Sequence, residues 1–136
     1  MILFSLDIDW ASEELIEYSL KIFENFNIKC TLFCTHESKT IKSCNKDLFE
    51  ISIHPNFNPL LENNSKKNAD QIIKDLLIIF PKAKGVRSHS MTQSSRLLNL
   101  FKDNGLLYDS NQFIPYNWKL KPYDCWTGIK RIPYNW

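Results

Sequence analysis

The hydrophobic positions of this chain fall into short runs whose period changes repeatedly. The opening run, "MILFSLDI", is almost continuously apolar, the pattern of a strand buried on both faces. In "ASEELIEYSLKIFENF", Leu15, Ile16, Leu20, Ile22, Phe23 and Phe26 recur at helical spacing. Ser12, followed by Glu13 and Glu14, suits the start of that helix, where acidic groups meet the positive end of the dipole. "IKCTLFCT" and "DLFEISIH" read as a second and a third strand. The Asn- and Pro-rich loop "PNFNPLLENNS" leads into a helix at "NADQIIKDLLIIF", which Pro81 ends. "AKGVRSHS" is a short strand running out into a polar loop. "TQSSRLLNLFKDNG" is a helix closed by Gly105, and "LLYDS" is a further strand. The tail is looser and aromatic, with "GIKRIPYNW" as a candidate last strand.

Strands that alternate with helices in this way predict an α/β fold with a mainly parallel sheet and right-handed crossovers. The length of 136 residues fits one domain spanning 1–136. "IPYNW" occurs at 114–118 and again at 132–136, with different flanks, which points to two similar strand ends and not to a repeat unit.

Composition narrows the function. With 43% hydrophobic and 24% charged residues the chain is globular, and a net charge of +2 with scattered Lys and Arg argues against a nucleic-acid partner. No apolar run approaches the roughly 20 residues of a membrane helix. The start lacks a basic leader, and Asp7 breaks its apolar run, so a cytoplasmic location is the expectation. Cys30, Cys34, Cys44 and Cys125 show no metal-type spacing; Cys30 and Cys34 share one face of a strand and read as buried free thiols of a reducing compartment. His36, in "THESKT", reads as solvated.

In a parallel sheet, function gathers at the carboxyl ends of the strands. Polar clusters fall at those ends: Asp7/Asp9, His54/Asn58, Arg87/His89 and Asp109/Ser110. Asp9 and His54 are competent ligands for a divalent metal, and Asn58 can add an amide oxygen. Asp7 would then stay free to take a proton from water, with Arg87 holding it by a charge-assisted contact.

In order along the chain, "FSLDIDWA", "KCTLF", "FEISIHPNFNP", "GVRSHS" and "LLYDS" resemble the motifs of the polysaccharide deacetylases (the NodB-homology domain, carbohydrate esterase family four). The resemblance covers about residues 2–110 and, loosely, the tail. It implies a distorted (β/α) barrel, here partial, that removes N- or O-acetyl groups from sugars with the help of zinc or, less usually, cobalt or nickel. It further implies that Asp7 is the catalytic base, that Arg87 orients it, and that Asp9 and His54 are metal ligands. Asn58 stands where the family has a second ligand His, and His89 is the candidate replacement; Asp109 begins the segment that enters the fourth motif. The implied substrate is a carbohydrate, a sugar nucleotide or a glycolipid. No Leu-x-His segment, which carries the family's general acid, occurs in these residues, and the run "RIPYNW" stops mid-element, so the domain reads as incomplete at its C-terminal end. A partial barrel leaves an open strand edge, through which copies could associate.

Two other readings compete. A deacetylase-like module without activity could bind a glycan or a partner through Tyr116, Trp118, Tyr123 and Trp126, although buried aromatic packing is the plainer expectation for that tail. Haloacid-dehalogenase-like phosphohydrolases also begin with a strand and two aspartates, but they need Thr or Val where this chain has Ala11, and a later acidic pair that is not apparent.

Overall fold

A computed structural model describes residues 2–135. The chain order is β1 (Phe4–Asp7), α1 (Glu13–Asn25), β2 (Cys30–Cys34), α2 (Lys39–Ser43), β3 (Phe49–Ile53), α3 (Asn58–Leu61), α4 (Ala69–Ile79), β4 (Gly85–Val86), α5 (Ser95–Asp103), β5 (Tyr108–Asp109), β6 (Tyr123–Asp124) and β7 (Lys130–Arg131). A single 3-10 turn, His89–Met91, sits between β4 and α5. All the strands join one sheet in the order β1-β2-β3-β4-β5-β7-β6. Every neighbouring pair is parallel except β6 and β7, which form an antiparallel hairpin. The α/β architecture with a mainly parallel sheet is the one its periodicity predicts.

Local chemistry starts and stops the helices where the sequence suggests. Ser12, Ser38, Asn68 and Ser94 each accept a backbone N–H in the first turn of α1, α2, α4 and α5, and Asn68 forms a reciprocal capping box with Gln71. Gly105 follows α5 at φ +81°, the left-handed conformation that only glycine adopts without strain. α3 lies within the stretch expected to be a loop, and periodicity does not announce α2 either. Glu13, at the start of α1, supports it by accepting from Ser38 Oγ, Thr40 Oγ1 and the amides of Lys39 and Thr40.

The pleat sorts each strand between two environments. One face carries Cys30, Leu32, Cys34, Phe49, Ile53 and Val86 into the core, together with Ile16 of α1, Ile41 of α2, Ile73 of α4 and Phe101 of α5. Cys30 and Cys34 are buried free thiols, as read from their spacing, and burial pushes both up to about 12. The register places Asp7, Phe33 and Ser52 in one row on the opposite face, and Gly85 beside Tyr108 on that same face. His54 and Arg87, one residue beyond paired Ile53 and Val86, continue that face onto the carboxyl rim.

Three expectations change. β1 is the edge strand of the sheet and largely exposed, Phe4 at 43%, and not buried on both faces, because only β2 pairs with it. Tyr116, Trp118, Tyr123 and Trp126 are exposed and not packed into the core. His36 is half-buried, with Nδ1 2.8 Å from Thr35 Oγ1. The two "IPYNW" stretches lie side by side: the Ile114 amide donates to the Tyr134 carbonyl, and Phe113 bridges Tyr134.

Candidate active site

The turn after β1 builds the first half of the site. The Ala11 amide donates to the Ile8 carbonyl (3.1 Å), and Asp9 at the corner has φ +43°, a left-handed conformation that a short polar residue tolerates. The Thr35 hydroxyl, just beyond β2, donates to the Asp9 carbonyl and holds the corner in place. This turn brings the Asp9 carboxylate onto the rim although Asp7 and Asp9 are only two residues apart. Its side chain is half exposed (50%), whereas that of Asp7 is one-third exposed (34%).

Two histidines meet Asp9 there. His54 Nε2 lies 3.3 Å from Asp9 Oδ1, and His89 Nδ1 lies 2.9 Å from the same oxygen. One donor atom from each of Asp9, His54 and His89 falls within 4.8 Å of the others. The imidazoles stand nearly perpendicular, with ring centroids 5.5 Å apart. Burial pushes His54 below its ordinary range, against the opposing pull of the Asp7 and Asp9 carboxylates, which favours the neutral imidazole that ligates metals. Its Nδ1 is buried without a hydrogen-bond partner. Two imidazoles and one carboxylate around a common point form a donor set that suits zinc or a neighbouring first-row divalent ion. The residues present fit such an ion.

Asp7 is not one of these three; its charge acts on His54, and it is held by Arg87. Arg87 Nη1 donates to Asp7 Oδ1 (2.9 Å), Nε to the Ser110 carbonyl (3.0 Å), and Nη2 to Ser110 Oγ (2.9 Å). Ser110 Oγ in turn donates to the Ile132 carbonyl. The guanidinium lies between two aromatic rings, 4.3 Å from the centroid of Phe33 and 4.2 Å from that of Tyr134. One buried cation thus fixes one carboxylate through a planar fork, the arrangement for which Arg and not Lys is suited. Sequence reasoning missed Phe33, Ser110 as the anchor of Arg87, and Tyr134. Only the alternation of "KCTLF" could have placed Phe33 on the functional face.

Asn58 and Asp109 make other contacts. Asn58 Nδ2 donates to Ser90 Oγ (3.1 Å), so it braces the residue after His89. Asp109, fully buried, points to the other side of β5 from Ser110 and pairs with Arg131 at 2.9 and 3.2 Å. It is not among the residues gathered around Asp9. A cleft of about 450 Å³ between α5 and the β6–β7 hairpin is lined by Gln93, Tyr123, Trp126 and Arg131, and none of the Asp9 group borders it.

The WbmS-like polysaccharide deacetylase family model matches residues 4–136. The chain belongs to that family. A crystal structure of WbmS from Bordetella bronchiseptica, described as a polysaccharide deacetylase involved in O-antigen biosynthesis, superposes with a TM-score of 0.92 at 33% identity. The alignment covers 98% of this chain and 57% of that one. A polysaccharide deacetylase from Mycobacterium smegmatis shares the fold, with a TM-score of 0.68 at 19% identity, over 98% of this chain and 58% of its own. This chain therefore spans somewhat more than half the length of both. No curated protein matches it. Family and fold agree with the deacetylase resemblance carried by the ordered motifs. Among the described residues, no helix is long and apolar enough to cross a membrane.

Proposed function

We propose that this chain carries the metal- and base-bearing part of a carbohydrate deacetylase, with Asp9, His54 and His89 as the metal ligands and Asp7 as the general base. The observation that carries the reading is the convergence of the three donor atoms within 4.8 Å, beside a separately held carboxylate. A divalent ion bound there, zinc being the first choice and cobalt or nickel workable, would polarise an acyl carbonyl and acidify water. Arg87 occupies Asp7 Oδ1, so Oδ2 is the oxygen left to receive a proton. The fork of Arg87, locked by Ser110 and two aromatic rings, keeps that carboxylate aimed while the charge on Asp7 changes during the reaction.

His89 takes the ligand role that the family gives to the His at position 58. Asn58 then acts on the loop, through Ser90, and not on the ion. The substrate in this reading is an N- or O-acylated sugar, carried on a surface polysaccharide, a sugar nucleotide or a glycolipid.

Calorimetric titration with zinc tests the ligand set. Wild type binds one ion, and His89→Ala, His54→Ala and Asp9→Ala each weaken binding at least tenfold, while Asn58→Ala stays within about threefold. Wild-type affinity in His89→Ala, or loss of affinity in Asn58→Ala equal to that in His54→Ala, refutes the assignment.

A further inference from the structure

Trp10 is the one aromatic side chain of the β1 turn, and the deacetylase reading does not yet use it. Trp10 is 58% exposed, yet its indole lies against the proposed metal group: its ring centroid is 5.1 Å from that of His89, with the planes inclined at 70°. The backbone beneath it is tightly held. The Ile8–Ala11 turn hydrogen bond closes over Asp9 and Trp10, and the Ser12 cap of α1 follows at once. An exposed indole on such a fixed turn loses little rotational freedom when a ligand covers it.

The reaction chemistry says what would cover it. In an N-acylated sugar the acyl carbon is two bonds from a ring carbon, roughly 2.5 Å. A substrate with its acyl group at the Asp9, His54 and His89 group must therefore set its sugar ring within reach of the side chains bordering that group. The C–H face of a pyranose is apolar and flat, and an indole offers the matching surface.

We propose that Trp10 is the stacking platform for the sugar ring of the acylated substrate, and so a residue that determines substrate specificity. The proposal rests on the deacetylase reading and adds the sugar-binding element to it. Trp10 acts on binding and orientation, and the proton and acyl chemistry stays with Asp7 and the metal ligands.

The test uses the zinc-loaded full chain and a panel of N-acetylated hexosamine oligomers, read by saturation-transfer NMR and by acetate release. Trp10→Ala is expected to weaken oligomer binding and raise KM about five- to tenfold, with kcat changed less than twofold and zinc affinity unchanged. Trp10→Phe, which keeps a flat ring, restores most of the affinity. Saturation transfer to the sugar ring protons in wild type disappears in Trp10→Ala. Equal binding in wild type and Trp10→Ala overturns the platform and leaves the deacetylase reading standing. Binding that depends on Trp10 without acetate release supports the platform and refutes the deacetylase reading. Loss of zinc affinity in both Trp10 variants shows that the indole serves to brace His89 and overturns the proposal. Absence of saturable binding by wild type across the panel also overturns it.

Discussion

Replacing Arg87 gives the sharpest test of how the rim is built. Arg87 is 5% exposed, and its guanidinium meets Asp7, the Ser110 carbonyl and Ser110 Oγ at 2.9, 3.0 and 2.9 Å. Hydrogen bonds to a charged group contribute about 1.5–3 kcal/mol each, and a desolvated cation–π contact contributes about 2 kcal/mol. Against these stands the cost of taking the cation out of water, several kcal/mol. In Arg87→Met the cation between Phe33 and Tyr134 is lost, Ser110 loses its two hydrogen bonds from Arg87, and Asp7 loses its counter-charge. Asp7 is one-third exposed and rehydrates, which places the cost at the lower end of the range for breaking a buried pair, about 3 kcal/mol. Arg87→Lys retains the charge, but an ammonium cannot serve Asp7 and both Ser110 acceptors in one plane, so about 2 kcal/mol is lost. Urea unfolding monitored by circular dichroism measures both, as a lowered midpoint at unchanged slope. For a domain of this size 3 kcal/mol corresponds to roughly 10 °C in Tm. If Arg87→Lys falls within about 0.5 kcal/mol of wild type, the planar fork is not what holds Asp7, and the account of its positioning fails.

Other expectations follow from packing and protonation. A Cβ on Gly85 would sit 2.0–2.4 Å from the Tyr108 ring, so Gly85→Ala is expected to displace Tyr108 from its hydrogen bonds with Glu50 and Ser52, at a cost of about 2–3 kcal/mol in thermal or urea unfolding. A variant as stable as wild type would show that β4 can shift freely. Four hydrogen bonds, those from Thr40 foremost, hold the Glu13 carboxyl down to about 2. The folded pKa lies below the unfolded value, so Glu13 stabilises above about pH 4.3 and that contribution fades as pH falls through about 2. The stability gap between wild type and Glu13→Gln should therefore be present at neutral pH and shrink on acidification; a gap that widens in acid contradicts the sign. Burial raises the Cys30 and Cys34 thiols to about 12, so at pH 8 they should react with a thiol reagent only on unfolding, while the less buried Cys44 and Cys125 react first. Four equally fast thiols would mean that the core opens locally around β2.

Much of the fold is legible in one dimension because its signals are local. The apolar run before Asp7, the 3.6-residue period from Leu15 to Phe26, the Ser12 and Asn68 caps and Gly105 each act within a few residues of themselves. Elements held by distant partners are harder to read. α2 is short and polar, and depends on a carboxylate from α1. β6 is two exposed residues whose existence depends on β7. The aromatic tail looks like core by composition, yet Tyr116, Trp118, Tyr123 and Trp126 lie exposed while Tyr134 packs on Arg87.

The site divides in the same way. The identity of the chemical groups, and their arrival at successive strand ends in the order Asp7, Asp9, His54, Arg87, is a property of the sequence, since parallel strands deliver their carboxyl ends to one rim. Which groups touch there depends on distances across the sheet. His89 reaches Asp9 because the chain leaves β4 through a 3-10 turn with Ser90 and Met91 at positive φ, while Asn58 is turned to Ser90. The family resemblance put a ligand at position 58, four residues from His54, and offered His89 as its replacement; the sequence alone does not say which of the two reaches Asp9. Likewise "IPYNW" is only a recurrence in the sequence, and the fold makes its second tyrosine one wall of the Arg87 sandwich. Local propensity and pattern determined the elements and supplied the reactive groups. The partners of each group were decided by tertiary packing, because contact at 3 Å depends on where whole strands and loops come to rest.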